Sequence, residues 1–234
     1  MTTGAADVPP PSTRVPAAIA AVAGDAPLEL VWRNEQGGVT ARIERPGGAV
    51  FAKWNPAGSI ESLRAEAERM RWLARVGSVP VPRVLAERSV AAGELLVTAA
   101  IPAVSIVSPA GRRSPAAAAA ALGAGLRALH AIDVASCPFP APDWTAREPV
   151  DEPVVCHGDP CAPNTLIASG AFAGLVDLGR VGVSDRWADL AIASWSLEWN
   201  GLATAESAFW RAYGRARDES RMARWRALWE PPPA

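Results

Sequence analysis

Apolar and polar residues alternate with a period of two through the early part of the chain. Residues 28–33 and 39–45 read as strands separated by Asn34-Glu35-Gln36-Gly37-Gly38, and Pro46-Gly47-Gly48 turns the chain into a third, 49–54, which predicts an antiparallel meander. The period then lengthens. Residues 60–76 contain no breaker and set Leu63, Ala67, Met70 and Leu73 at helical spacing, while Glu61, Glu66, Glu68 and the arginines cover the other faces. Two more strands are expected at 79–87 and 94–100 around a turn at Gly93. From Ser114 onward long helical runs take over, at 115–132, 186–199 and 205–213, with two short strand-like stretches between them. Pro9, Pro10, Pro11 and Pro16 among small residues predict a loose leader over 1–16, and Pro231-Pro232-Pro233-Ala234 a frayed tail. Ser12 is the expected cap of a short helix through Ala23 that Gly24 ends. The chain is read as α+β in two lobes: a sheet lobe over 17–100, a linker over 101–114 and a mostly helical lobe over 115–234.

Charge narrows the partners. With 23 basic against 24 acidic residues in 234 the net charge is -1, which excludes the dense cationic face of a nucleic-acid or anionic-membrane binder and leaves a small molecule as the expected partner. No apolar run approaches the roughly 18 to 20 residues that span a bilayer, and the start lacks a secretory pattern, so no membrane partner and a cytoplasmic location are expected. Cys137, Cys156 and Cys161 form no CxxC pair and read as structural thiols in a reducing compartment. The basic residues comprise 22 arginines and a single lysine, Lys53. A genome that favours arginine this strongly has kept one ammonium, which marks the position.

The chemistry concentrates in two stretches. An apolar strand, Val154-Val155-Cys156, delivers His157-Gly158-Asp159, and Asn164 follows five residues after the aspartate. A second apolar strand ends at Asp177-Leu178-Gly179-Arg180, where Gly179 permits a sharp turn beside the carboxylate. Asp159, Asn164 and Asp177 together offer oxygens to a hard cation such as Mg²⁺, and phosphoryl transfer needs such a set because the reacting group spreads negative charge over several oxygens. Asn164 and Asp177 are the candidate metal ligands, and Asp159 is left as general base for a substrate hydroxyl. In the sheet lobe, Gln36-Gly37-Gly38 forms a loop of little bulk suited to lie over phosphates, and Lys53 on the following strand can reach them with Glu66 holding its ammonium.

These residues resemble those of the aminoglycoside 3'-phosphotransferases, within the protein-kinase-like fold. The resemblance rests on Ala52-Lys53, on 66–73, 96–102, 129–132 and 137–139, and above all on His157-Gly158-Asp159 through Asn164 combined with 177–191. It implies ATP and Mg²⁺ as cofactors, Asp159 as catalytic base, Asn164 and Asp177 as magnesium ligands, Lys53 on phosphate with Glu66 behind it, and Ala99, Ala100 and Ile101 as the hinge that meets adenine. It also implies Arg180 near the reacting groups, with Asp185 and Asp189 as buttresses of the loop. Three features depart from the family. Only residues 140–156 lie between Phe139 and His157, where the family carries a longer, largely helical acceptor-gripping stretch, and Ser196 and Trp199 stand where it tends to place carboxylates. Trp229-Glu230 before the prolines replaces its usual acidic and aromatic ending.

Plainer roles exist for several of these positions. His157 and His130 suit hydrogen-bonded scaffold, Arg180 could pair with Asp185, and Trp195 and Trp199, four apart on a predicted helix, could line an acceptor pocket. The expected activity is transfer of the ATP γ-phosphoryl group to an aminoglycoside hydroxyl. The alternatives are a kinase of another small hydroxylated metabolite and a nucleotide-binding module without transferase activity.

Overall fold

In the computed structural model the described residues are 9–229 apart from 11 and 35, so the first residues of the expected leader, Glu35 of the glycine loop, and Glu230 with the proline tail lie outside them. The chain divides into two compact units, one comprising the residues up to Trp72 together with Pro82–Ala100, the other Leu73–Val81 and the residues from Ile101 onward.

The first unit is built on five antiparallel strands, β1 (Leu28–Arg33), β2 (Val39–Ile43), β3 (Val50–Pro56), β4 (Val84–Val90) and β5 (Gly93–Ala99), in the order β1-β2-β3-β5-β4. Period-2 alternation sorts their side chains between two faces. Val39, Ala41 and Ile43 of β2, Val50 and Ala52 of β3, and Leu95 and Val97 of β5 share one buried core with Ile19 and Ala23 of the short helix α1 (Ala17–Ala23). Lys53, one residue out of phase with Ala52 and in register with Thr40 and Leu96, is thereby turned to the opposite face. Ser12 does not cap α1, whose N-cap position is Pro16, because the proline ring fixes φ there and sets where the helix can begin.

Helix α2 (Leu63–Val76) begins three residues later than its apolar spacing suggests. The Glu94 carboxylate accepts hydrogen bonds from the backbone N–H of Leu63 at 2.6 Å and Arg64 at 3.2 Å, and Ser62 Oγ accepts from Ala65 N at 3.2 Å. These two side chains satisfy the orphan amides of the first turn at that point, leaving Ile60 in solvent.

The second unit contains α3 (Pro115–His130), α4 (Arg186–Trp199), α5 (Glu206–Tyr213) and α6 (Glu219–Trp229). Two small sheets accompany them, β7 (Pro153–Cys156) paired with β10 (Gly182–Asp185), and β6 (Val104–Ser105), β8 (Thr165–Ala168) and β9 (Ala171–Leu175) in the order β6-β8-β9. Four strands thus stand between α3 and α4 where two were expected, and α6 was not expected at all. Helix α4 is buried nearly all round, from Trp187 and Leu190 to Ser196 and Leu197, and forms the spine of the core with Leu122, Leu126 and Phe209.

Candidate active site

In the first unit the lone lysine finds its glutamate. Lys53 Nζ on β3 donates to Glu66 Oε1 on α2 at 2.7 Å, and Glu66 is only 3% exposed. A carboxylate this buried needs its cationic partner, so the ammonium is fixed in place. In the β1–β2 loop, Asn34 Oδ1 accepts hydrogen bonds from the amides of Gln36 and Gly38, and Gln36 Oε1 accepts from Ile60 N at 2.9 Å. A Cβ at Gly38 would collide with the Asn55 and Asn34 side chains, so a larger residue there would displace the Asn34 amide that ties the loop. The Ala99 and Ala100 amides are bound to the carbonyls of Arg83 and Ala49, each at 2.9 Å, which holds the end of β5 in the sheet.

In the second unit the loop after β7 carries His157-Gly158-Asp159. Gly158 has φ +80, and a Cβ there would strike the Arg180 carbonyl oxygen, so both its conformation and its neighbours demand glycine. His157 Nε2 donates to the Val176 carbonyl at 3.1 Å, leaving Nδ1 to accept the Asp159 N–H at 3.3 Å. Both ring nitrogens serve the scaffold. Asp159 Oδ1 is buried and has no hydrogen-bond partner among the described residues.

The other two oxygen donors are tied to the same loop. Asn164 Nδ2 donates to the Asp159 carbonyl at 3.0 Å, which commits the amide nitrogen and leaves its Oδ1 as the group available to a ligand. The Asn164 carbonyl accepts from Val176 N at 3.0 Å, so the residue preceding Asp177 is bonded to Asn164 itself. Asp177 has φ +60, a left-handed conformation uncommon outside glycine and costing about 1 kcal/mol or more, of the kind that collects at functional sites. Burial and, after it, the Asp159 carboxylate push the Cys161 thiol well above its ordinary range, and Asp177 acts on it in the same sense. Asn164 is thus bonded to the backbone of Asp159 and of Val176, the residue before Asp177, and both aspartates act on the Cys161 thiol, which lies between them in sequence. The Arg180 guanidinium lies 5.9 Å from the centre of the Trp229 ring.

Two aspartates hold this loop from beneath. Asp189, fully buried on α4, accepts from His157 N at 2.6 Å and Gly158 N at 3.0 Å, and its Oδ2 lies 3.0 Å from His130 Nε2. Asp185 caps α4 through Trp187 N at 2.9 Å and accepts from the amides of Asp151 at 2.8 Å and Glu152 at 3.0 Å. His130, Cys156 and Asp189 bring ligand atoms within 4.8 Å of one another, yet each is already engaged, Cys156 Sγ donating to the Asp185 carbonyl at 3.3 Å and His130 Nδ1 lying 2.9 Å from the Tyr213 hydroxyl. This is a hydrogen-bonded strut and not a metal centre.

Ser196 is buried and accepts from Ala162 N at 2.8 Å, which positions the turn that carries Asn164. Sequence reading missed that role, as it missed Trp144, whose indole N–H donates to the Gly158 carbonyl at 2.9 Å and whose ring meets Trp225 and Trp229 edge-on. No local pattern marks either residue, because both act through partners distant in the chain. Trp195 and Trp199 do pack together, with ring centres 4.7 Å apart, and Trp199 is 42% exposed.

Glu152 gathers Arg186 at 3.1 Å, Arg215 at 2.7 Å and Arg221 at 3.1 Å. Burial opposes its ionisation, but hydrogen bonds from Arg215 and Trp187 and the fields of Arg215 and Arg186 outweigh it and hold the carboxyl below its ordinary 4.5. A depressed carboxyl contributes stability above its unfolded pKa and loses it as pH falls through the folded one. Glu152→Gln is accordingly expected to destabilise the protein by about 1–2 kcal/mol at neutral pH. That difference should vanish in thermal melts once the pH is well below 4.5.

Comparison with known proteins identifies the family. The model of the phosphotransferase enzyme family matches residues 37–150 and 141–225. The chain is 32% identical over 225 residues to an aminoglycoside 3'-phosphotransferase of Streptomyces fradiae, with 77% of this chain and 83% of that protein covered. It is 34% identical over 225 residues to the streptomycin 3''-kinase of Streptomyces griseus, covering 74% and 80%. The crystal structure of an aminoglycoside-3'-phosphotransferase of type VIII superposes with a TM-score of 0.75 at 30% identity, over 90% of this chain and 96% of that one. An aminoglycoside phosphotransferase of Streptomyces rimosus in complex with ADP and streptomycin superposes with a TM-score of 0.70 at 27% identity, over 90% and 94%. The chain belongs to the phosphotransferase enzyme family and has its protein-kinase-like fold.

Proposed function

We propose that the protein transfers the γ-phosphoryl group of ATP to a hydroxyl of an aminoglycoside antibiotic, in the cytoplasm, as a resistance enzyme. The single observation that carries this reading is Asp159 Oδ1, a buried carboxylate oxygen without a partner, set on a loop whose backbone is held by Asp189. An unsatisfied buried acceptor costs roughly 1–3 kcal/mol, and a substrate hydroxyl is the donor that would repay it. Asp159 would orient that hydroxyl and accept its proton as the bond to phosphorus forms. The donor set of Asn164 and Asp177 is all oxygen and fits Mg²⁺, which prefers hard ligands. When bound, the cation supplies neutralisation of charge on the nucleotide phosphates. Lys53, held by Glu66, would bind phosphate, with Gln36, Gly37 and Gly38 over it and Ala99, Ala100 and Ile101 meeting adenine. Arg180 would serve near the reacting groups. The acceptor class is supported by the names of the relatives and by the streptomycin complex of the S. rimosus protein. Adding a phosphate to a polycation weakens its attraction to RNA, which is how the product would lose antibiotic action.

The purified protein is expected to release ADP only with Mg²⁺, and faster when kanamycin, neomycin or streptomycin is added. Stimulation by other hydroxylated metabolites alone would transfer the reading to a different kinase. Nucleotide stabilisation with no phosphorylated acceptor would reduce it to a binding module. Lys53→Met removes one charge-assisted contact worth about 1.5–3 kcal/mol, so the KM for ATP should rise roughly tenfold to a hundredfold while the KM for the acceptor stays put.

A further inference from the structure

At the ends of α3 and α5 and the start of α4, the second unit holds a cavity of about 220 Å³ whose walls include Arg127, Arg186 and Arg215, with His130 and Tyr213 beside them. Among the described residues no carboxylate lines it. Two acids stand behind its walls: Asp189 Oδ2 lies 3.0 Å from His130 Nε2, and Glu152 is shared among Arg186, Arg215 and Arg221, so one carboxylate serves three guanidiniums. Asp218 lies 3.5 Å from Arg221 and approaches none of the cavity's own arginines in an ion pair. Arg127 is exposed and makes no ion pair or hydrogen bond among the described residues. Three arginines left so incompletely neutralised around one hollow repel each other, and a polycationic acceptor would be excluded from it.

We propose that this cavity is a second, non-catalytic anion site that takes a phosphate group, either inorganic phosphate or the head of a small phosphomonoester. Planar guanidinium forks match phosphate oxygens in pairs, which is the geometry that favours arginine over lysine in such sites. The volume falls below the roughly 300–1,000 Å³ typical of drug-sized ligands, so a phosphate with a small substituent fits and a nucleotide does not. The site also touches the strut of the reaction centre. Tyr213 OH lies 3.3 Å from Arg186 and 2.9 Å from His130, and His130 contacts the carboxylate that carries the His157 and Gly158 amides. An anion bound here rests one side chain away from the support of the Asp159 loop.

The test is a calorimetric titration of the full chain at low ionic strength, with Mg²⁺ and a non-hydrolysable ATP analogue present so that phosphate positions at the reaction centre are filled. Inorganic phosphate is titrated in one arm and glycerol 1-phosphate in the other. A saturable site with one ligand per chain is expected in at least one arm, and the arm with the tighter isotherm identifies the source. The Arg127→Gln/Arg215→Gln double variant should weaken it at least about tenfold, the loss of one good charge-assisted contact. Arg127→Gln alone, at an exposed and unpaired position, should weaken it severalfold in a fully folded protein. Glu152→Gln, which removes the competing carboxylate, should tighten it. Absence of saturable binding in both arms overturns the proposal, as does an affinity that the arginine variants leave unchanged.

Discussion

Asp159→Asn is expected to lower kcat by about 10²- to 10⁴-fold, the range for loss of a general base. It should do so without lowering the melting temperature. The two results belong together because Asp159 Oδ1 is buried and receives no hydrogen bond among the described residues, so the native fold gains nothing from that oxygen. In the proposed role this carboxylate serves a ligand, and exchanging it for a neutral isostere should leave stability nearly unchanged, the usual relation between function and stability at such sites. Differential scanning calorimetry beside steady-state kinetics reads both quantities. A variant that melted several degrees lower would show that Asp159 is structural, and one that retained the wild-type kcat would remove it from the reaction.

Asp189→Asn should be the most damaging conservative change in the second unit. The wild-type carboxylate accepts from two backbone amides and lies against His130, and it is fully buried. An amide offers one oxygen and turns an NH₂ group toward a donor, so one buried N–H loses its acceptor and another faces a like group. Breaking a buried charged arrangement from one side costs about 3–5 kcal/mol. For a chain of this size that corresponds to a fall in melting temperature of roughly 6–20 °C. Activity measured well below the new transition should still be reduced at least about tenfold, because the loop that bears Asp159 loses its backbone support. Nucleotide binding, proposed to run through Lys53, should persist, which separates loss of loop geometry from general unfolding. Equal loss of both would make Asp189 a fold residue only.

Much of this site could be read from sequence because its residues are close neighbours along the chain. His157, Asp159 and Asn164 span one loop, Asp177 ends the next strand pair, and Lys53 is the only lysine, so type and order alone pointed to phosphoryl transfer. The Lys53–Glu66 pair, 13 residues apart on a strand and the next helix, followed from alternation on β3 combined with helical spacing on α2. Boundaries were less legible. Helix α2 starts at Leu63 because Glu94, 31 residues later, caps it, and apolar periodicity carries no trace of that partner. Helix α6 escaped notice because Met222 and Trp225 are its only buried residues and arginines interrupt the stripe. The short strands β7 to β10 are four or five residues each, too brief for a period of two to declare itself. Ser196 illustrates the remaining gap: a serine in place of a carboxylate looks like a change in the acceptor site, whereas its hydroxyl is turned inward to Ala162 N.

The isolated Lys53 has a practical corollary. An acylating reagent finds one ε-amine in these 234 residues, and that amine is salt-bridged with its side chain 24% exposed. Modification there should be slow, and in the proposed phosphate-binding role of Lys53 it should be blocked by bound nucleotide and should silence each molecule in a single event. Counting the acyl group on the peptide that contains Lys53, apart from the one on the α-amine, would thus titrate the chain for active molecules, a measurement that a surface rich in lysine would obscure.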